Sequence, residues 1–178
     1  MKTSNLPALD LSVLAEYPVP DERRLDTMLA AEIRANPMNI VVLDDDPTGV
    51  QTVHDVSVYT DWSAESIRAG FAESNKLFYI LTNSRGMTGE ESAAAHRDIA
   101  ARVAAVSEET GIPYLFMSRS DSTLRGHYPL ETEVLRAGME ASGGRVDGEI
   151  LSPYFKEGGR YTIGNVHYVR QGESLVPA

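Results

Sequence analysis

The sequence predicts an α/β fold, a Rossmann-like three-layer domain in which a parallel sheet carries helices on both faces. Short apolar runs alternate with amphipathic segments along most of the chain, a pattern typical of strands and crossover helices in a parallel sheet. Of the 178 residues, 42% are hydrophobic and 24% are charged, as in ordinary globular proteins. At about 150 residues per domain, this length predicts one domain with an appendage.

The appendage is an N-terminal arm, residues 1–37, which contains one helix after Asp21. Its apolar residues recur every three or four positions until Pro37 ends the pattern: Leu25, Met28, Leu29 and Ile33. This spacing predicts one apolar helix face. The face has two alternative partners, the main domain or a neighbouring molecule, and the sequence does not decide between them.

The main domain, residues 38–178, begins with an apolar strand at 39–43. Further strands are predicted at 56–60, 77–81, 114–117 and 149–151, with a closing strand or hairpin at 161–170. Helices are predicted from Ser63 to about Ser74, from the capping box of Thr88 and Glu91 to Gly111, and from Pro129 to about Ala141.

Composition and charge exclude several classes of protein. The net charge of −10 repels polyanions, so we expect no nucleic-acid partner. No apolar stretch approaches the roughly 20 residues that cross a bilayer, and no secretory signal is visible, so we expect no membrane partner. Cysteine is absent, which excludes disulfides and fits a cytoplasmic protein.

Polar side chains follow three of the predicted strands, at the point where each strand ends. The segments are Asp44-Asp45-Asp46-Pro47-Thr48-Gly49, Thr82-Asn83-Ser84-Arg85-Gly86 and the run from Ser118 to Gly126. In an open parallel sheet, ligands bind beyond the carboxyl ends of the strands. We therefore expect these three segments to lie together and to form a ligand site.

Their chemistry indicates a small, hydroxylated anion. Arginine forks suit an acid group, while aspartate and serine suit hydroxyls, and Gly49 allows close approach of the backbone. Successive carboxylates also suit a cation or proton abstraction. The structural alternatives are a solvated acidic turn and a polar loop with internal Arg–Asp pairing. Neither phosphate-binding motif, G-x-x-x-x-G-K-[ST] or G-x-G-x-x-G, is present.

Three segments together resemble the four-carbon acid sugar kinase family: Asp45-Asp46-Pro47-Thr48-Gly49, Thr82-Asn83-Ser84-Arg85 and Asp121-Ser122-Thr123-Leu124-Arg125-Gly126. The resemblance continues through residues 153–155, 158–161 and 164–168, and it covers about 39–169. Members of that family are two-domain ATP-dependent kinases that phosphorylate the terminal hydroxyl of tetronic acids such as threonate, erythronate or their 3-oxo forms. This chain resembles their amino-terminal, acid-sugar-binding domain.

The resemblance implies roles for particular residues. Asp45 and Asp46 would be catalytic, binding the substrate hydroxyls, and one of them would act as base. The implied substrate-binding residues are Thr48, Gly49, Ser84, Arg85, Arg119, Asp121, Ser122 and Arg125. The family often carries lysine near the position of Arg119, so the charge is kept but the hydrogen-bond geometry differs.

The resemblance also implies cofactors and partners. ATP and Mg²⁺ would be bound mainly by a C-terminal nucleotide-binding domain of the same protein, which this chain does not contain, so we expect no activity from this fragment alone. No cofactor or metal residue is therefore assigned within the chain. The substrate would be a small acid sugar, and a homodimer is an assembly that the sequence leaves open.

Two alternatives remain. Asp44, Asp46 and Thr48 also fit the D-x-D-x-T motif of haloacid-dehalogenase-type phosphatases, with Asp44 as nucleophile, Asp46 as acid/base and magnesium bridging them. That interpretation lacks a later acidic pair and leaves the arginine-rich loop unexplained. The other alternative is a non-catalytic module that only binds an acid sugar.

Overall fold

The structure is a computed structural model that describes residues 6–50, 53–121 and 125–178. The strands are β1 (Leu9–Asp10), β2 (Asn39–Asp44), β3 (Val58–Tyr59), β4 (Leu77–Leu81), β5 (Tyr114–Arg119), β6 (Arg160–Ile163), β7 (Val166–Gln171) and β8 (Ser174–Pro177). The α-helices are α1 (Glu22–Ala35), α2 (Ala64–Phe71), α3 (Gly89–Thr110) and α4 (Leu130–Ala141). No helix among the described residues is long and apolar enough to cross a membrane.

The chain divides into two compact units. The central unit is Asn36–Glu149, and the terminal unit combines residues up to Ala35 with Ile150–Ala178. The sequence instead predicts an arm that ends at residue 37 and a main domain that includes residues 150–178. The grouping differs because β8 pairs with β1 of the arm, antiparallel, with Leu9 opposite Leu175.

The central unit contains a four-stranded, all-parallel sheet in the order β3-β4-β2-β5. In register, Val41 lies opposite Phe78 of β4 and Phe116 of β5. The central strands β4 and β2 are rich in apolar residues because a central parallel strand is buried on both of its faces. The predicted α/β fold with a parallel sheet is confirmed. The carboxyl ends of β2, β4 and β5 therefore meet at one edge.

One face of this sheet carries the hydrophobic core. Its members come from alternate positions of β2 and β4 and from all three helices of the central unit: Val41, Leu43, Ile67, Phe71, Phe78, Ile80, Ile99, Ala100, Val103, Val106 and Leu135. On the opposite face of β5, Leu115 and Met117 stay nearly half exposed. The three helices of the central unit thus share one core with one face of the sheet.

Local sequence determines where the helices of the central unit begin and end. Thr88 accepts a hydrogen bond from the Glu91 backbone N–H, the Glu91 side chain bonds back to the Thr88 backbone, and Gly111 ends the helix with a positive φ of 69°. Both features of α3 are as predicted. Ser63 caps α2 as predicted, although α2 ends at Phe71 rather than near Ser74.

The terminal unit contains an antiparallel sheet in the order β1-β8-β7-β6. Gly164 and Asn165 connect β6 to β7, both with positive φ, as a tight hairpin turn requires. The predicted closing hairpin is therefore present. Helix α1 has no buried residue, and its large apolar residues are all exposed: Leu25, Met28, Leu29 and Ile33.

The strand predicted at 149–151 is absent from the described structure. These residues have no strand partner, and the side chain of Ile150 is 96% exposed. A three-residue segment with two apolar residues and no partner has neither the ladder of hydrogen bonds nor the burial that stabilises a strand.

Candidate functional site

The ends of β2 and β4 are joined by an ion pair between a buried carboxylate and a partly exposed guanidinium. Arg85 donates from Nε to Asp45 Oδ2 at 3.0 Å and from Nη2 to Asp45 Oδ1 at 2.7 Å. The Arg85 backbone N–H also donates to the Asp45 carbonyl at 3.2 Å. The Asp45 side chain is 3% exposed and the Arg85 side chain 25%. The two predicted site residues are therefore fixed against each other.

Asp46 accepts a hydrogen bond from the remaining nitrogen of the same guanidinium. Arg85 Nη1 donates to Asp46 Oδ2, while the Thr48 backbone N–H and hydroxyl donate to Asp46 Oδ1. These hydrogen bonds, chiefly that of the Thr48 side chain, hold the pKa of the Asp46 carboxyl below its usual value. Asp46 is thus ionised at neutral pH, and its side chain is 18% exposed.

The loop after β5 reaches the same place. The backbone N–H of Asp121 donates to Asp45 Oδ2 at 3.2 Å. Asp121, which is buried, accepts from Arg125 Nε at 2.7 Å and from Arg125 Nη2 at 3.0 Å. The Arg125 side chain is 66% exposed. The internal Arg–Asp pairing that the sequence leaves as an alternative is therefore present, and it leaves much of the guanidinium facing solvent.

Asp44 and Arg119 lie side by side in register at the ends of β2 and β5. Arg119 Nη1 is 3.7 Å from Asp44 Oδ1, which is beyond hydrogen-bond length, and this oxygen has no hydrogen-bond partner among the described residues. Asp44 is 1% exposed. Burial is the main cause that raises the pKa of its carboxyl to about 6, against the opposing effect of Arg119.

The structure places the other predicted site residues differently. Ser84 is fully buried, with its hydroxyl accepting from Thr82 Oγ1 at 3.1 Å, and its predicted substrate contact stays a prediction. A Cβ on Gly49 would lie 1.8 Å from Asp44 Oδ2, so Gly49 allows close approach to this carboxylate. Thr48 is exposed and bonds Asp46. Ser122 lies outside the described residues.

Sequence reasoning missed one polar residue behind the site. Glu131, in the first turn of α4, is 1% exposed. It accepts hydrogen bonds from the hydroxyls of Ser92 and Ser120, the Ser84 side chain helps to lower its pKa, and His96 Nε2 lies 3.7 Å from its Oε1. Leu135, one turn later, is also buried, so Glu131 falls on the apolar face of its helix. That periodicity is the signal that could have found it.

Two further observations bear on ligands. No group of three or more His, Cys, Asp or Glu residues in the described parts of the chain could hold a metal ion. A cavity of about 1070 Å³ lies between α3 and α4, lined mainly by small and apolar side chains such as Ala101, Ala104 and Val134. Its charged lining residues are Arg97, Glu108 and Glu133, and it contains none of the charged residues at the strand ends.

The arrangement at the strand ends can recognise an anion that also carries hydroxyls. It brings four carboxylates and three guanidiniums to one edge of the sheet, as predicted. Residues 40–178, more than three quarters of the sequence, match a family described as sugar-binding N-terminal domain.

The chain belongs to this sugar-binding N-terminal domain family. The family description agrees with the hydroxyl-binding chemistry expected at the strand ends. It gives a sugar as the ligand class and an N-terminal position within a longer protein. None of the curated proteins or solved structures compared with this sugar-binding domain matches it significantly.

Proposed function

We propose that the chain is the substrate-binding half of an ATP-dependent kinase that phosphorylates a terminal hydroxyl of a four-carbon sugar acid, such as threonate, erythronate or a 3-oxo-tetronate. The observation that carries the proposal is the convergence of Arg85, Arg119 and Arg125 with Asp46 at one sheet edge of a sugar-binding domain. A neutral sugar would need the aspartates but not three guanidiniums.

Arg119 is the guanidinium best placed to bind the ligand's carboxylate. Arg85 is already engaged by two aspartates, and Arg125 pairs through two nitrogens with Asp121. Arg119 is 3.7 Å from the nearest oxygen of Asp44 and its side chain is 32% exposed, so it retains donors for an incoming acid. The exposed side of the Arg125 guanidinium provides a second group that can bind the ligand's carboxylate.

Asp46 is the carboxylate that we assign to a substrate hydroxyl. Its side chain is 18% exposed, whereas Asp45 and Asp44 are 3% and 1% exposed. Its lowered pKa keeps it an acceptor at neutral pH but makes it a weak base. Its contribution would therefore be to orient the attacking hydroxyl, which suits phosphoryl transfer, since that reaction depends mainly on positioning.

The described residues do not fit ATP or Mg²⁺. The site aspartates are paired with arginines or buried, no cluster of acids is arranged for a metal, and the sequence has no phosphate-binding glycine motif. We therefore propose that a separate nucleotide-binding domain of the same protein binds both, and that the complete protein acts in the cytoplasm. No step is assigned to either group here.

The alternative phosphatase chemistry has little support in this geometry. It requires Asp44 as an accessible nucleophile, but Asp44 is 1% exposed and Gly49 covers its Oδ2. A non-catalytic sugar-acid-binding module is the second candidate, because the family description includes sugar binding and no catalytic activity.

Calorimetric titration of the chain with threonate and erythronate tests the proposal, with threitol as the control that lacks a carboxylate. We expect the acids to bind and threitol not to bind. Addition of the nucleotide-binding domain with ATP should then produce ADP only when the acid is present. Absence of binding by every acid would overturn the proposal. Magnesium-dependent phosphate release by this chain alone would favour the phosphatase, and binding without turnover would favour the module.

A further inference from the structure

Glu131 is a buried carboxylate that does not face the site. Its Oε1 lies 2.8 Å from Ser92 Oγ and its Oε2 lies 3.1 Å from Ser120 Oγ. The Ser84 side chain also acts on this carboxyl, because it lowers the pKa of Glu131. With 1% of the residue exposed, Glu131 is closed off from a ligand.

The serines that act on Glu131 belong to three different elements. Ser84 directly precedes Arg85 in the loop after β4, and Ser120 lies between Arg119 and Asp121 after β5. Ser92 is in the first turn of α3. One buried acid therefore joins the two loops that carry the arginines of the site.

A further contact stabilises the same loop. His127, four residues before Glu131, donates from Nε2 to the backbone carbonyl of Ser84 at 3.0 Å. The segment that leads into α4 thus holds Ser84 by its backbone while Glu131 holds it by its side chain. Because Arg85 follows immediately, both contacts restrict where its guanidinium can lie.

We propose that Glu131 is a positioning residue, which fixes the loop of Arg85 and the loop of Arg119, Asp121 and Arg125 in the relative placement that binds the acid sugar. This inference rests on the proposed function. A carboxylate suits the task because it only accepts, so serine hydroxyls can converge on it from different directions. The hydrogen bonds and nearby His96 also keep the pKa of Glu131 below its usual value despite burial.

The alternative is that Glu131 stabilises the fold without influencing the site. Loss of stability alone cannot separate the two roles, because either predicts it. Distinguishing the two roles needs a measurement at the arginines and a control variant that destabilises the same layer of helices. Val103 provides this control, since it is a fully buried core residue of α3 with no part in the Glu131 network.

The experiment compares the wild-type chain with Glu131→Gln and Val103→Ala. The first readout needs no ligand: it is the ¹⁵N-detected Nε–H signal of Arg85 and of Arg125, each of which reports a hydrogen bond to aspartate. The second is the dissociation constant for threonate and erythronate. We expect Glu131→Gln to shift or broaden both Nε–H signals and to weaken binding about tenfold, as for other residues that orient ligand-binding groups. Val103→Ala should leave both unchanged.

The outcomes separate the two proposals. Unchanged Nε–H signals and unchanged affinity in Glu131→Gln would overturn the positioning role. If the wild type binds no acid, the proposed function fails, and the Nε–H signals alone decide the role of Glu131. If Glu131→Gln does not fold, Ser120→Ala replaces it: we expect a shift at Arg125 but not at Arg85, and no shift at either would overturn the inference.

Discussion

Arg85 Nε and Nη2 lie 3.0 and 2.7 Å from the two carboxylate oxygens of Asp45, a residue 40 positions earlier in the chain. This pair joins the end of β2 to the loop after β4. Asp45 is almost fully buried, and this guanidinium is its charged partner. The pair is therefore structural, and it fixes the site around it.

Removing the guanidinium should destabilise the protein. We expect Arg85→Ala to lower the free energy of unfolding by about 3 kcal/mol, because it leaves a buried carboxylate without its charged partner. Urea denaturation measures the change. Arg68→Ala is the matched control, since Arg68 pairs with Glu109 on the surface, both about half exposed, and should cost under about 1 kcal/mol. Equal losses in the two variants would contradict this role for the Arg85–Asp45 pair.

Asp44 should make stability depend on pH. Its folded pKa of about 6 lies above the ordinary value of 3.8, so the folded state holds the proton more tightly than the unfolded state. The stability that this proton provides is complete below the unfolded pKa and is lost as pH rises through the folded pKa. Asp44→Asn cannot ionise. We expect the unfolding free energy of Asp44→Asn, relative to that of wild type, to rise by on the order of 3 kcal/mol between about pH 4 and about pH 8.

The measurement is urea denaturation of both proteins at a series of pH values. A difference in unfolding free energy that stays constant across that range would show that Asp44 titrates as an ordinary exposed carboxyl. Comparison between the two proteins cancels the contributions of other groups, including Asp46, whose pKa is shifted in the opposite direction.

Gly49 should not accept a side chain. A Cβ there would lie 1.8 Å from Asp44 Oδ2, so Gly49→Ala must displace the backbone or the buried carboxylate. We expect a loss of about 1–3 kcal/mol in unfolding free energy, the usual cost of overpacking. Gly86→Ala is the control in the neighbouring loop, because a Cβ at Gly86 meets nothing within 4 Å. Thermal unfolding compares the two, and a tolerated Gly49→Ala would disprove the close packing.

Arg125 should contribute to ligand binding through its exposed edge. We expect Arg125→Ala to weaken acid-sugar binding roughly tenfold or more, because the variant loses a hydrogen bond to a charged group. Calorimetric titration gives the dissociation constant. Arg145→Ala serves as control, because Arg145 is 85% exposed and pairs with Asp147 outside the site. A dissociation constant equal to that of wild type would remove Arg125 from the site.

Much of the central unit could be predicted from sequence because its signals are local. The apolar run of Leu77–Leu81 matches β4, and the capping box of Thr88 and Glu91 marks the start of α3. The meeting of Asp45 with Arg85 and Asp121 then follows from geometry, since parallel strands end at the same edge.

The rest could not be predicted because it depends on tertiary contacts. Glu131 and Ser84 are residue types that are mostly exposed in proteins, yet both are buried here. The grouping of residues 150–178 with the arm depends on β1, a strand of two residues, which is too short to give a periodic signal. The strand expected at 149–151 lacked any such pairing.

The short strand β1 has a consequence for handling the protein. Leu9 and Asp10 pair with the outer edge of β8, so they cover backbone hydrogen-bonding groups that an exposed edge strand would offer to other chains. Proteolysis just after Asp10 would expose this edge of β8 at Leu175 and Ser174. The cleaved protein should then aggregate through β8, although the strand ends of the central unit would be unchanged.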